Sequence, residues 1–382
     1  MKITNVEGFV LSAREKYRDP VGGEEAPGVA YCFLIKVSTD EGIVGWSDVE
    51  TAPHVAQAVI SAPSTGSEMI EGLRELAVGE DPFETKRLWD KIYRGTIYYG
   101  RRGVAMQVLS GFDIALHDIM GKATGRPVYK LLGGGYRDKV RAYASTLFRP
   151  NPEDIQRACE YYLERGFTAI KFGWGVFGQD RKRDIQLVEA ARRAVGPDVA
   201  LMVDAGWKRN RSAYDAVELL RALEPYDLFF FEDFLHPECY EGYRKVKQAG
   251  VRTRLAAGEQ EATAWGFRQL IREGQIDVAQ PDLSRCGGFT QFELIAWEAE
   301  AAGIDVCPHA WLTDLLTAAS LHANAALPRS LFLEYNVSES AMLRDVIQNP
   351  IRLLPDGTMA VPQSPGLGIE IDEKAVLHYQ VQ

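Results

Sequence analysis

The chain's ionisable chemistry is concentrated in Lys171, Asp204, Glu232, Glu259, Asp282, His309 and Glu334. Each stands at or near the polar end of a short apolar run: FTAIKFGW, VALMVDAG, LFFFEDF, RLAAGEQ, IDVAQPDL, GIDVCPHA and LFLEYN. Successive separations are 33, 28, 27, 23, 27 and 25 residues. One acid after a strand is ordinarily a helix cap or a solvated loop charge. So many polar residues recurring in phase are poorly explained as chance. Asp204, Glu232 and Glu259 offer hard oxygen donors that would repel one another if left bare. A divalent cation relieves that repulsion, and an all-oxygen set suits Mg²⁺. The competing reading is a buried ion-pair network, but the only cation within these strand ends is Lys171. His309 follows IDVCP, one run after Asp282. A carboxylate beside an imidazole fixes its tautomer and raises its basicity, which is what a general base needs.

Lys171 ends an apolar run, where a solvated lysine would be out of place. Period two along a strand puts Gly173 on the same face, so the second inward position carries no ionisable group. Glu334, preceded by LFL, reads as a buried carboxylate that donates or accepts a hydrogen bond to substrate. The other histidines carry less. His117 and His322 fall in helix-like segments and read as packing residues, and His378 is in the tail. His236 and His54 read as loop residues, His54 as a candidate substrate contact in a lid. The glycines at 133–135 and 287–288 read as turns, since no Lys-Ser/Thr follows them to cradle a phosphate.

These residues need elements to hold them. VRAYAS (140–145) adds one more apolar run, giving eight that alternate with amphipathic segments such as RKRDIQLVEAARRAV and YDAVELLRALEPY. Eight strand-like runs alternating with helices predict parallel βαβ units, at the pace of a (β/α)₈ barrel. An open doubly wound sheet would carry a glycine fingerprint after its first strand, and none is present. Before the barrel, a strand over 30–38 and its hairpin partner over 42–49 predict an antiparallel element. Residues 15–28 and 50–67 read as loops, the latter broken by Pro53, Pro63 and Gly66. Residues 82–125 read as helical. The expected domains are an α+β capping domain over 1–127, the barrel over 128–340, and a tail over 341–382 that packs back on the cap.

Composition narrows the function classes. The 382 residues carry 43 Lys+Arg against 53 Asp+Glu, a net charge of −10, with 46% apolar and 25% charged residues. That is an ordinary globular balance and not a disordered one. A negative surface with no basic stretch argues against nucleic acid and anionic membrane as partners. No apolar run reaches the ~18 residues a membrane span requires, and the start shows no signal-peptide pattern. Five scattered cysteines without a C-x-x-C pair fit reduced thiols in a cytoplasm.

With these residues placed, the chain resembles the enolase superfamily, mandelate-racemase-like subgroup, over essentially its whole length. The matching signatures are MVDAG at Asp204, FFEDF at Glu232, AAGEQ at Glu259, AQPDLSRCGG at Asp282, CPHAW at His309 and FLEYN at Glu334. The junction YRGTIYYGRRGVAMQVLSGFDIALHDIMGKATGRPVYKLLGG and the stretch FEDFLHPECYEGYRKVK are similar to its acid-sugar dehydratases of the L-rhamnonate dehydratase kind. The resemblance implies a modified (β/α)₇β barrel with a cap, Mg²⁺ on Asp204, Glu232 and Glu259, and His309–Asp282 as the acid/base. It also implies that Lys171 and Glu334 act at the carboxylate end of a small-molecule sugar acid, and that the chain forms a homo-oligomer. Tyr17, Arg18, His54 and Trp311 are the candidate contacts to the rest of the substrate. Two departures stand out. The subgroup's Lys-x-Lys is Lys171-Phe172-Gly173 here, so the second base that a two-base racemase needs is missing. The first metal ligand is followed by Ala205-Gly206-Trp207, without the usual Asn. The expected activity is dehydration of a sugar acid to a 2-keto-3-deoxy acid. The alternatives are a racemase, epimerase or cycloisomerase on the same scaffold, and a non-catalytic metal-binding protein.

Overall fold

The computed structural model describes residues 1–13, 20–21, 30–207 and 211–381. Tyr17, Arg18 and nearly all of the loop expected over 15–28 lie outside the described residues. The chain opens with an antiparallel sheet of β1 (Ile3–Ser12), β2 (Tyr31–Thr39) and β3 (Val44–Val49), in that order. Period two gives β2 two buried faces. Phe33, Ile35 and Val37 pack with Leu88, Ile92, Met106 and Leu109 of helices Thr85–Gly95 and Val104–Thr124, while Cys32 and Leu34 join the larger core. The stretch 50–67 differs from expectation, because it contains a helix, Pro53–Ser61. Pro53 sits in the first turn, where proline's missing N–H leaves no bond unmade and its fixed φ suits the helix.

All eight apolar runs form strands. They are β4 (Lys139–Leu147), β5 (Ala169–Gly173), β6 (Ala200–Asp204), β7 (Phe230–Glu232), β8 (Arg254–Ala257), β9 (Val278–Ala279), β10 (Asp305–Val306) and β11 (Leu333–Asn336). Parallel ladders join them in the order β10-β9-β8-β7-β6-β5-β4-β11. The sheet curls until its ends meet: the Ala310 N–H donates to Glu334 Oε2 at 3.0 Å, and Cys307 Sγ lies 3.7 Å from the Phe332 carbonyl. Helices such as Arg181–Val195 and Ala213–Leu223 return each strand to the next, and Asp180 and Ser212 cap their first turns. The barrel interior is a packed layer of Tyr143, Ala169, Met202, Phe230, Ala256, Val278, Cys307 and Phe332, none more than 2% exposed. Each of the strands, or the residue next to it, contributes one member.

The cap docks on the barrel through β3, where Asp48 accepts hydrogen bonds from Thr313 N (2.8 Å) and Oγ1 (2.6 Å). The tail touches both parts. Strand β12 (Thr358–Ala360) pairs antiparallel with β4, and Val381 N donates to Val10 O of β1 at 2.8 Å. All five cysteines are free.

Candidate active site

Two residues beyond each member of the packed layer, the same face of the strands presents Ser145, Lys171, Asp204, Glu232, Gly258, Gln280, His309 and Glu334. An apolar floor is thereby overlaid by a polar tier at the C-terminal ends of the strands, where barrel enzymes carry their chemistry. At Gly258, φ of +131° turns the chain so that Glu259 points inward instead. Asp282 stands one step above Gln280.

The structure brings together every ionisable residue singled out at the strand ends. Ligand oxygens of Asp204, Glu232 and Glu259 lie within 4.8 Å of one another, and all three side chains are buried. Asp204 and Glu232 are direct cross-strand partners. Burial, together with the neighbouring Glu232 charge, pushes the Asp204 carboxyl well above its ordinary range, and burial also raises Glu232 against the pull of Lys171. Glu232 Oε1 has no hydrogen-bond partner. Buried like charges with an unpartnered oxygen fit a dication. A second group of Glu50, Asp282 and His309 satisfies the same distance test, but the Arg285 guanidinium already lies against it.

Arg285 corrects the expectation that Lys171 is the only cation here. The turn after Asp282 folds back, with Arg285 N donating to Asp282 O at 2.9 Å. The guanidinium reaches Glu50 at 2.5 Å and both Glu259 and Asp282 at 3.6 Å. Lys171 Nζ pairs with Glu232 Oε2 at 2.7 Å and Glu334 Oε1 at 2.9 Å. An ion-pair network therefore exists, yet Glu50, Asp204, Glu232, Glu259, Asp282 and Glu334 still outnumber Lys171 and Arg285. The surplus of negative charge favours a metal.

His309 Nδ1 lies 2.7 Å from Asp282 Oδ2, and Asp282 Oδ1 accepts from Ser284 N and Oγ, each at 2.6 Å. Burial alone would lower the imidazole pKa, but the charges of Glu259 and Glu334 and the bond to Asp282 hold it well above the usual value. Burial would raise Asp282, and the His309 bond and Arg285 outweigh it, keeping the carboxyl below its ordinary range. Glu334 is lowered as well, since Lys171, His309, the Ser145 hydroxyl (2.6 Å) and the Ala310 amide overcome its burial. Glu334 is thus an ionised acceptor.

A cavity of about 410 Å³ opens above this tier, lined by Lys171, Asp204, Glu259, His309, Glu334 and the expected Trp311, among others. That volume suits a small organic ligand. Glu232 and Asp282, both 0% exposed, lie beneath its walls. His54 does not reach it. It is exposed on the helix Pro53–Ser61 beside Tyr31, with ring centroids 6.3 Å apart. His117 and His322 are buried packing residues, bonded to Asp113 O and Leu367 O. Sequence reasoning missed Glu50, Ser145, Trp174 and Arg285, all of which line the cavity.

Gly173 is more than an absent base. It lies opposite Asp204 in the ladder, and a Cβ there would stand 2.9 Å from both Asp204 Cβ and Oδ2. Any side chain displaces Asp204. If Asp204 is a metal ligand, Gly173→Lys is expected to weaken divalent-metal binding about 10–100-fold, the usual range for disturbing a ligand's support, and to confer no racemisation. Titrating activity with Mg²⁺ and following α-carbon chirality checks both.

Residues 25–133 match the family model of the mandelate racemase / muconate lactonizing enzyme N-terminal domain, and residues 154–375 match the enolase C-terminal domain-like family. The chain is 32% identical over 362 residues to D-galactarolactone cycloisomerase of Agrobacterium fabrum, covering 91% of each chain. It is 33% identical over 360 residues to D-galactonate dehydratase of Ralstonia nicotianae, covering 90% of each. The crystal structure of 3,6-anhydro-D-galactonate cycloisomerase from Zobellia galactanivorans superposes with a TM-score of 0.88 at 29% identity, covering 100% of both chains.

Proposed function

We propose that this chain, which belongs to the enolase superfamily with a mandelate racemase / muconate lactonizing enzyme N-terminal domain, is a hydro-lyase that dehydrates a sugar acid to a 2-keto-3-deoxy acid. One observation carries the reading: a single imidazole–carboxylate dyad, His309–Asp282 at 2.7 Å, stands beside three clustered carboxylates with glycine where an opposing base would be. An elimination needs one base and one acid, whereas inversion needs a base on each face. Named dehydratases among the relatives, such as arabinonate dehydratase of Saccharolobus solfataricus at 31% identity, support it.

Asp204, Glu232 and Glu259 would hold Mg²⁺, whose chemistry here is to place positive charge against the substrate carboxylate and so acidify the α-carbon. Lys171, kept charged by Glu232 and Glu334 against its burial, adds positive charge at the same end. Asp282 holds the His309 proton on Nδ1, leaving Nε2 as the basic nitrogen. His309 Nε2 takes the α-proton, and the electron pair left on the α-carbon forms the enediolate. The carboxylate re-forms as the enediolate electron pair makes the C2–C3 double bond and the C3–O bond breaks, and the His309 imidazolium protonates the departing hydroxyl, which leaves as water. The enol then tautomerises to the 2-keto acid. Glu334 accepts hydrogen bonds from the bound acid.

A cycloisomerase is the second reading, favoured by the Agrobacterium and Zobellia relatives. A panel of aldonates, aldarates and aldarolactones, assayed with semicarbazide for keto acids and by mass, separates them. Loss of water is the expected result; products of unchanged mass support the cycloisomerase, and no turnover at all sinks both. Because His309 must be unprotonated to act, kcat/KM should fall about tenfold per pH unit on the acid side. Cytoplasmic location and a homo-oligomeric state belong to the same proposal. The free cysteines fit a reducing compartment, and no helix among the described residues is long and apolar enough to cross a membrane.

A further inference from the structure

Directly after Gly173, the backbone of Trp174 takes φ +51°, a left-handed conformation that a bulky residue adopts only when its surroundings enforce it. Several contacts enforce it. Trp174 N donates to Asp204 O at 3.2 Å, and its own carbonyl accepts from Phe177 N at 3.0 Å. The indole lies against Gly206, where a Cβ would meet ring atoms at 3.1–3.4 Å. Trp207 meets it edge-on, with centroids 6.1 Å apart and planes at 85°, and Trp207 is backed in turn by His236 at 6.4 Å. Trp174 lines the cavity beside the metal-ligand candidate Asp204, together with Leu147, Phe148 and Phe177.

None of this is needed to abstract a proton. A strained backbone, a glycine that admits the ring and a second indole packed against it fix the position of this indole in the cavity wall. An aromatic face is the negative end of a quadrupole. It attracts the weakly positive C–H bonds of a carbohydrate and leaves the hydroxyls to point elsewhere.

We propose that Trp174 is the platform on which the distal carbons of the sugar acid lie, and so a specificity-determining residue for six-carbon over three-carbon acids. This rests on the sugar-acid reading above. The chemistry is shared by an open-chain hexonate and a hexonic acid closed into an anhydro or lactone ring, and both belong in the test. Trp174→Ala should raise KM about tenfold for the fastest six-carbon substrate while kcat stays within about threefold, the signature of lost uniform binding. KM for D-glycerate, which has no distal carbons, should move less than about twofold, and Trp174→Phe should restore most of the six-carbon affinity. Thermal midpoint and Mg²⁺ affinity serve as controls for folding. Equal damage to both substrates, or no shift with the hexonate, overturns the platform. If the wild type turns over no sugar acid, the dehydratase reading fails separately, and equilibrium dialysis of a labelled hexonate against wild type and Trp174→Ala with Mg²⁺ decides the platform. Equal affinity refutes it, and weaker binding by the variant upholds it.

Discussion

His309→Asn should lower kcat on the best sugar acid by about 10²–10⁴-fold, the usual contribution of a positioned general base. The asparagine amide can still donate to Asp282 Oδ2, which His309 Nδ1 meets at 2.7 Å, so the buried carboxylate keeps a partner. What disappears is the atom at the Nε2 position. Mg²⁺ affinity should change by only a few-fold, because the three clustered carboxylates are untouched. Exchange of the substrate α-proton with deuterated solvent reports abstraction apart from loss of water. Wild type should wash the label in and the variant should not. Dehydration that survives within a few-fold would show that another group is the base.

Lys171→Met should have the largest effect on stability. The lysine is 2% exposed, and its ammonium is the direct partner of Glu232 and Glu334. Removing one partner of a buried pair strands the other, at about 3–5 kcal/mol, on the order of 4–6 °C in Tm for a chain of 382 residues. The pH dependence follows from Glu334, whose folded pKa the lysine helps hold below its ordinary value. A depressed carboxylate contributes stability above its unfolded pKa, and that contribution is lost as pH falls through the folded value. Without Lys171 the carboxyl rises, so the variant's deficit should be greatest at neutral pH and shrink towards pH 4. If the three clustered carboxylates hold Mg²⁺ in the folded state only, adding it should recover part of the deficit. Melting curves against pH, with and without Mg²⁺, check this. A deficit independent of pH would mean that packing and not charge had been lost.

Most of the barrel was legible because its residues obey one local rule. An apolar run that ends in a polar group reads as a strand whose tip meets solvent or substrate, and the His309–Asp282 pair and the three clustered carboxylates all sit at or next to such tips. Ser145 obeyed the rule too, ending VRAYAS two residues past Tyr143, but a hydroxyl raises no electrostatic alarm. Arg285 hid because its position depends on a turn folding back over Asp282, which spacing does not encode. Glu50 belongs to the cap, and its partner Arg285 lies far along the chain. Trp174 read as the end of an apolar run, since neither its left-handed backbone nor its bed on Gly206 leaves a mark in composition. The segment at 50–67 was misjudged for a different reason: proline breaks a helix interior but starts a first turn equally well.

The layer from Tyr143 to Phe332 beneath the polar tier has a kinetic meaning. It fills the barrel interior beneath the cavity, so nothing passes through the floor and traffic must use the mouth at the C-terminal strand ends. Reactant, expelled water and finished keto acid all queue at that doorway. The next molecule cannot enter until the previous one has gone, and a slow departure would throttle turnover however fast the proton moves.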